Sequence, residues 1–192
     1  MTDQLLWYAT RGAGIVSLLM FTAVMVLGVL NVSRWQRPAW PRFLTAGLHR
    51  NLSLLALVFL GVHIVTAIVD PFTSLGLAAA IVPLASSYRP LWVGLGVVAV
   101  DLLIALVVTS LVRARLGQRA WRAIHWLAYA AWPLALAHGV GAGSDGFAAW
   151  MLALDAVCVA AVGLAAAWRL VVIRPGSPAV LQEVVAAVGR PR

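Results

Sequence analysis

Lysine is absent from this 192-residue chain, cysteine occurs once, and aspartate and glutamate together number six. A single cysteine, Cys158, excludes an intrachain disulfide and any metal or redox motif built from several thiols. With no lysine, all fourteen basic residues are arginine, and the formal net charge is +8. In a soluble chain such an excess would point to nucleic acid. Here only 10% of residues are charged and 63% are hydrophobic, so the arginines report orientation in a bilayer and no nucleic-acid partner is expected. There is no internal repeat, low-complexity tract or glycine-rich nucleotide loop. Histidine is scarce too, with four residues that all fall in two apolar stretches, HRNLSLLALVFLGVH (49–63) and HWLAYAAWPLALAH (125–138).

A hydrocarbon core of about 30 Å needs roughly 20 apolar helical residues. Five stretches qualify, near 12–31, 45–69, 90–112, 122–140 and 147–172. The first is too long for a signal-peptide core and is followed by no small-residue cleavage site, so it is read as a mature span. Arg34, Arg37, Arg42, Arg50, Arg113, Arg115, Arg119, Arg122, Arg169, Arg174, Arg190 and Arg192 fall on one side, and only Arg11 and Arg89 on the other. The positive-inside rule then sets the N-terminus outside and the C-terminus in the cytoplasm. The expected architecture is all-α: a five-span membrane helix bundle over residues 1–173 and a short cytoplasmic tail, 174–192. Residues 70–89 are too short on apolar residues to span and are expected to form a lid or interfacial helix on the outer face.

Spans two and four both run from inside to outside, which gives the histidines depth. His49 and His125 lie near the cytoplasmic face, His63 and His138 near the outer face. The spacings of 14 and 13 residues each correspond to about 20 Å along a helix. Imidazole is a metal ligand, and haem iron has two axial positions. The pattern therefore predicts two haems, one held by His49 with His125 and one by His63 with His138, forming an electron path across most of the bilayer. Fourteen residues return nearly to one helix face, whereas thirteen do not. Pro133 is expected to kink or underwind the fourth span and re-aim His138. Two histidines of one helix are too far apart to share a bare copper or zinc ion.

Other residues fit around this core. Arg50 and Arg122 adjoin the inner histidines and suit haem propionates, although cytoplasmic-side anchoring explains them equally well. Arg11 lies at the sparsely basic outer edge, where snorkelling is the plain alternative. Asp101 and Asp155 fall within spans, at a cost of roughly 2.5–3.5 kcal/mol each, and are expected to be protonated, paired or wet. Trp35, Trp40, Trp92, Trp121 and Trp150 read as interfacial belt residues; Trp126 and Trp132 flank the fourth-span histidines and suit helix packing more than porphyrin contact. Gly94, Gly96 and Gly163 suit close helix approach.

Over about Leu6 to Trp168 the chain resembles the ferric reductase-like transmembrane domain, the core shared by ferric reductases and NADPH oxidases, especially its small stand-alone bacterial form. WYATRGAG in the first span, H-x13-H in the second and WRAIHWLAYAAWPLALAHGVGAGSD, with H-x12-H, in the fourth carry the resemblance. It implies two b-type haems, electron transfer across a bacterial-type cytoplasmic membrane, and Arg11 near the outer haem. Full-length relatives of this kind append FAD- and NADPH-binding domains, which these residues do not contain. The resemblance thus implies a separate flavoprotein (FAD or FMN), quinol or another redox subunit as donor, and an outer-side acceptor. Two other readings remain: a quinol-linked haem subunit of a larger oxidoreductase, and a non-enzymatic haem sensor or carrier.

Overall fold

The computed structural model describes residues 2–33, 40–71, 73 and 75–172. Its elements are α1 (Thr2–Val32), α2 (Arg42–Val69), α3 (Leu77–Ile81), α4 (Pro90–Leu111), α5 (Arg113–Leu116), α6 (Gln118–His125), α7 (Ala128–Ala142) and α8 (Ala149–Val172). The fold is all-helical, as the sequence implied. Arg34, Trp35, Arg37 and the 174–192 tail lie outside the described residues.

Among the described residues four helices are long and apolar enough to cross a membrane: α1, α2, α4 and α8. The stretch expected as a fifth, 122–140, is instead divided between α6 and α7, with Trp126 and Leu127 between them. The division has a local cause in hydrogen bonding. Leu127, Tyr129 and Ala130 each donate their backbone N–H three residues back, to Ile124, Trp126 and Leu127, with N···O distances of 2.9, 3.0 and 3.0 Å. Such bonds wind the chain at about three residues per turn. Pro133, four residues beyond Tyr129, stays inside α7. The distortion thus overwinds the segment near Trp126, where the sequence suggested underwinding at Pro133.

Packing follows residue size. α1 lies along α2, and α4 along α7, while α8 leans on α1. Small residues let the first pair close: Ala13, Ser17, Thr45 and Ala56 are all buried there, and Ser17 Oγ reaches the Ala56 carbonyl oxygen at 3.5 Å. In the second pair Trp92 packs where a side chain on Gly141 would stand. Leu54, Val58, Val62 and Val65 of α2 point outward, which suits lipid contact. By contrast, α2 makes no extensive contact with α6 or α7 among the described residues. The two histidine-bearing strips are therefore held by different neighbours, with space between them.

Among its described residues, the 70–89 connection carries the five-residue α3. Its Leu77 and Ile81 are exposed, whereas Ala79 is buried and, with Asp70 and Thr73, borders the cavity beneath. Chain reversal into α4 uses Arg89 in the left-handed region (φ 42°), followed by Pro90 at the first helical turn.

Candidate functional site

The four histidines meet in two pairs. The ring centroids of His49 and His125 are 6.3 Å apart, and those of His63 and His138 are 6.1 Å apart. Two imidazoles that bind one metal ion from opposite sides, with nitrogen–metal bonds of about 2.0 Å and centroids about 1.1 Å behind each nitrogen, stand about 6.2 Å apart. Both pairs match that separation. Their ring planes are inclined at 62° and 82°, so the members of a pair face each other edge-on without stacking.

Three of the rings are aimed by the backbone of a neighbouring helix. His49 Nδ1–H donates to the Val24 carbonyl of α1 (3.0 Å), His63 Nδ1–H to Thr10 of α1 (2.8 Å), and His138 Nδ1–H to Trp92 of α4 (2.9 Å). A carbonyl oxygen only accepts, so the proton is fixed on Nδ1 and the Nε2 lone pair is left for a ligand. Each of these rings also beds against a glycine. A Cβ built on Gly14 would lie 2.8 Å from His63 Nδ1, and one on Gly96 would lie 2.5 Å from His138 Nδ1. One on Gly28 would come within 3.4 Å of His49 Cε1. Gly14 and Gly28 repeat the 14-residue interval of His49 and His63 on an antiparallel neighbour, so one register serves both levels. Sequence reasoning missed Gly14 and Gly28, and the shared 14-residue interval is the signal that could have found them. Of the glycines it singled out, Gly96 meets His138 and Gly94 meets Leu84, while Gly163 has nothing within 4 Å.

His125 is placed differently. It ends α6, and its ring stacks on Trp121 with centroids 4.9 Å apart and planes 29° from parallel. Its Nδ1 is buried without a hydrogen-bond partner among the described residues.

A cavity of about 220 Å³ opens beside the His63–His138 pair, lined mostly by apolar residues of α1, α2, α4 and α7 together with His63, His138, Thr10, Arg11 and Tyr88. Arg11, one of the expected site residues, is there and forms an ion pair with Asp145. Arg89 and Tyr88 fasten the C-terminal end of α7. Arg89 Nη1 donates to the carbonyls of Gly141 (2.6 Å) and Gly143 (3.2 Å), and Tyr88 Oη to that of Ala142 (3.2 Å). A cation at the carbonyl end of a helix is favourable, and here it also steadies the segment that carries His138. Arg50 and Arg122, the other two expected arginines, are exposed beside the inner histidines.

No third histidine, cysteine, aspartate or glutamate completes a metal-binding group at either pair among the described residues. Each pair thus offers two imidazoles at the separation of ligands on opposite sides of one metal ion, a donor set that suits a planar four-nitrogen macrocycle. Asp101 is exposed on α4, whereas Asp155 is buried on α8 with neither oxygen hydrogen-bonded among the described residues. Trp132 ties α7 to α1 through its Nε1–H to Thr22 Oγ1 (3.0 Å), and Trp126 packs with Tyr129 under the Arg169 guanidinium. Trp121, which the sequence suggested only as an interfacial residue, stacks its ring on His125.

No curated protein and no solved structure matches the chain significantly. The sequence pattern of one family does, from residue 13 to residue 136, so that His49, His63 and His125 lie within the matched stretch and His138 stands two residues beyond it. Four membrane-length apolar helices and this match together make the chain an integral membrane protein. By that match over most of its length, the chain belongs to the ferric reductase like transmembrane component family.

Proposed function

We propose that this protein is a dihaem b-type membrane cytochrome that passes electrons from a cytoplasmic-side donor to an outer-side acceptor. The observation that carries the proposal is the pair of imidazole separations, 6.3 and 6.1 Å, at two positions along helices that make no extensive contact with each other among the described residues. Haem supplies the one-electron chemistry, and the protein's part is to hold and insulate it. His49 with His125 and His63 with His138 would hold the two haems, and the carbonyls of Val24, Thr10 and Trp92 keep Nε2 of His49, His63 and His138 unprotonated for that task. Arg11 is suited to an outer propionate, and Arg50 and Arg122 to the inner ones. Taken end to end, α6 and α7, of 8 and 15 residues with two between, would measure about 37 Å, the length that a fifth crossing needs. Five crossings and the arginine distribution support a cytoplasmic C-terminus.

The donor in this reading is a separate flavoprotein, quinol or redox subunit. The test is purified protein in liposomes with an impermeant acceptor on the side of His63 and His138 and a reductant on the other. Acceptor reduction that is abolished by His63→Ala and by His49→Ala supports the function. A haem-loaded protein that passes no electrons would instead favour a haem sensor or carrier.

A further inference from the structure

The two levels hold their histidines unequally. His49, His63 and His138 each lie inside a long helix, donate Nδ1–H to a carbonyl of the adjacent helix and bed against a glycine. His125 has none of these supports. It is the last residue of the eight-residue α6, its backbone passes at once into the overwound turn at Trp126 and Leu127, and its buried Nδ1 has no hydrogen-bond partner among the described residues. What it does have is a flat neighbour. Trp121 stacks on the ring, and its own Nε1–H is anchored to Ser110 Oγ at 3.2 Å.

A hydrogen bond from the distal nitrogen fixes a ligand's tautomer and raises its basicity, and its removal typically weakens metal binding about 10–100-fold. We propose that His125 is an exchangeable ligand: at the inner site a small neutral π-acceptor such as carbon monoxide takes its place on ferrous iron, while the outer site stays closed. The inference rests on the dihaem reading above. In the exchange the bond from His125 Nε2 to iron breaks and a carbon–iron bond forms. The iron stays ferrous, and neither proton nor electron moves. The released imidazole leaves neutral and remains stacked on Trp121, so departure does not require α6 to unfold. At the outer site both rings are pinned between a carbonyl and a glycine, and no equivalent resting place is built.

The experiment is carbon monoxide titration of dithionite-reduced, detergent-purified protein whose haem b content has been measured. Two haems and one carbon monoxide per chain are expected. In His125→Ala the adduct should form at least about tenfold faster, because no internal ligand has to leave first, or be lost together with the inner haem. His138→Ala, which opens the outer site, should take up a second carbon monoxide. A two-haem protein that binds no carbon monoxide, or two, overturns the inference and leaves the dihaem reading standing. So does a His125→Ala protein that binds two, or that loses one haem yet still binds carbon monoxide, because exchange then belongs to the outer site. A folded preparation without haem overturns the dihaem reading itself.

Discussion

On the dihaem proposal, replacing Gly96 by alanine should empty the site of His63 and His138 and leave that of His49 and His125 filled. The added Cβ would stand 2.5 Å from Nδ1 of His138, 2.8 Å from Cε1 and 2.9 Å from Cγ, with the ring already committed to the Trp92 carbonyl at 2.9 Å. Carbon contacts settle at about 3.5 Å, so the ring has to retreat by about 1 Å. Metal–ligand distances tolerate about 0.2 Å. The displacement also strips the Nδ1 hydrogen bond, for a further loss of about 10–100-fold in affinity. Gly28→Ala is the internal comparison, because its Cβ would come no closer than 3.4 Å to His49, a misfit of only about 0.1 Å. Gly61→Ala is the blank, with nothing within 4 Å. Haem content of the three variants, each purified as a monodisperse species, is the assay. One haem in Gly96→Ala and two in the others is the expected result. Two haems with an unchanged spectrum in Gly96→Ala, or an equal loss in Gly28→Ala, would refute the idea that these glycines seat the rings.

Three further outcomes follow from the same geometry. Arg11→Leu should lower thermal stability in detergent more than the Arg11→Leu/Asp145→Leu double variant, since the single change strands a half-buried carboxylate; equal losses would show that the carboxylate left behind carries no penalty. Arg89→Ala removes two hydrogen bonds to the carbonyl end of α7 and should cost about 1–3 kcal/mol, read as a fall in melting temperature. An unchanged midpoint would deny it a fastening role. In low-temperature electron paramagnetic resonance of the oxidised protein, the 82° outer pair should give the more anisotropic low-spin ferric signal and the 62° inner pair the less, because crossed imidazole planes leave two iron d orbitals nearly degenerate. The signal lost in His63→Ala should be the more anisotropic one.

Much of the site was legible in the sequence because histidine is so rare in it. Two apolar runs of nearly equal length, each closed by histidines, permit few arrangements once both are helical and run the same way. Rotation was less legible. Thirteen residues of regular helix leave His138 about 140° away from the face of His125. The overwound turn at Trp126 and Leu127 adds about 20° per residue in the direction that closes the gap. Proline drew attention to the correct helix, but the distortion settled before it, where Leu127, Tyr129 and Ala130 bond three residues back. Gly14, Gly28 and the carbonyls of Val24, Thr10 and Trp92 were invisible for a different reason. Backbone acceptors carry no sequence label, and a glycine opposite a ring is recognisable only after the facing helix and its register are known. The stacking of Trp121 on His125 was not legible because an interfacial position, which the sequence suggested, and contact with a histidine are compatible at the end of a span.

The most direct test of the central claim is haem b content per polypeptide in detergent-purified protein, by the pyridine haemochromogen method, with His63→Ala measured beside the wild type. Two haems per chain falling to one is the result these paired imidazoles predict. A well-folded wild type with no haem, or with a content that His63→Ala leaves unchanged, would contradict it.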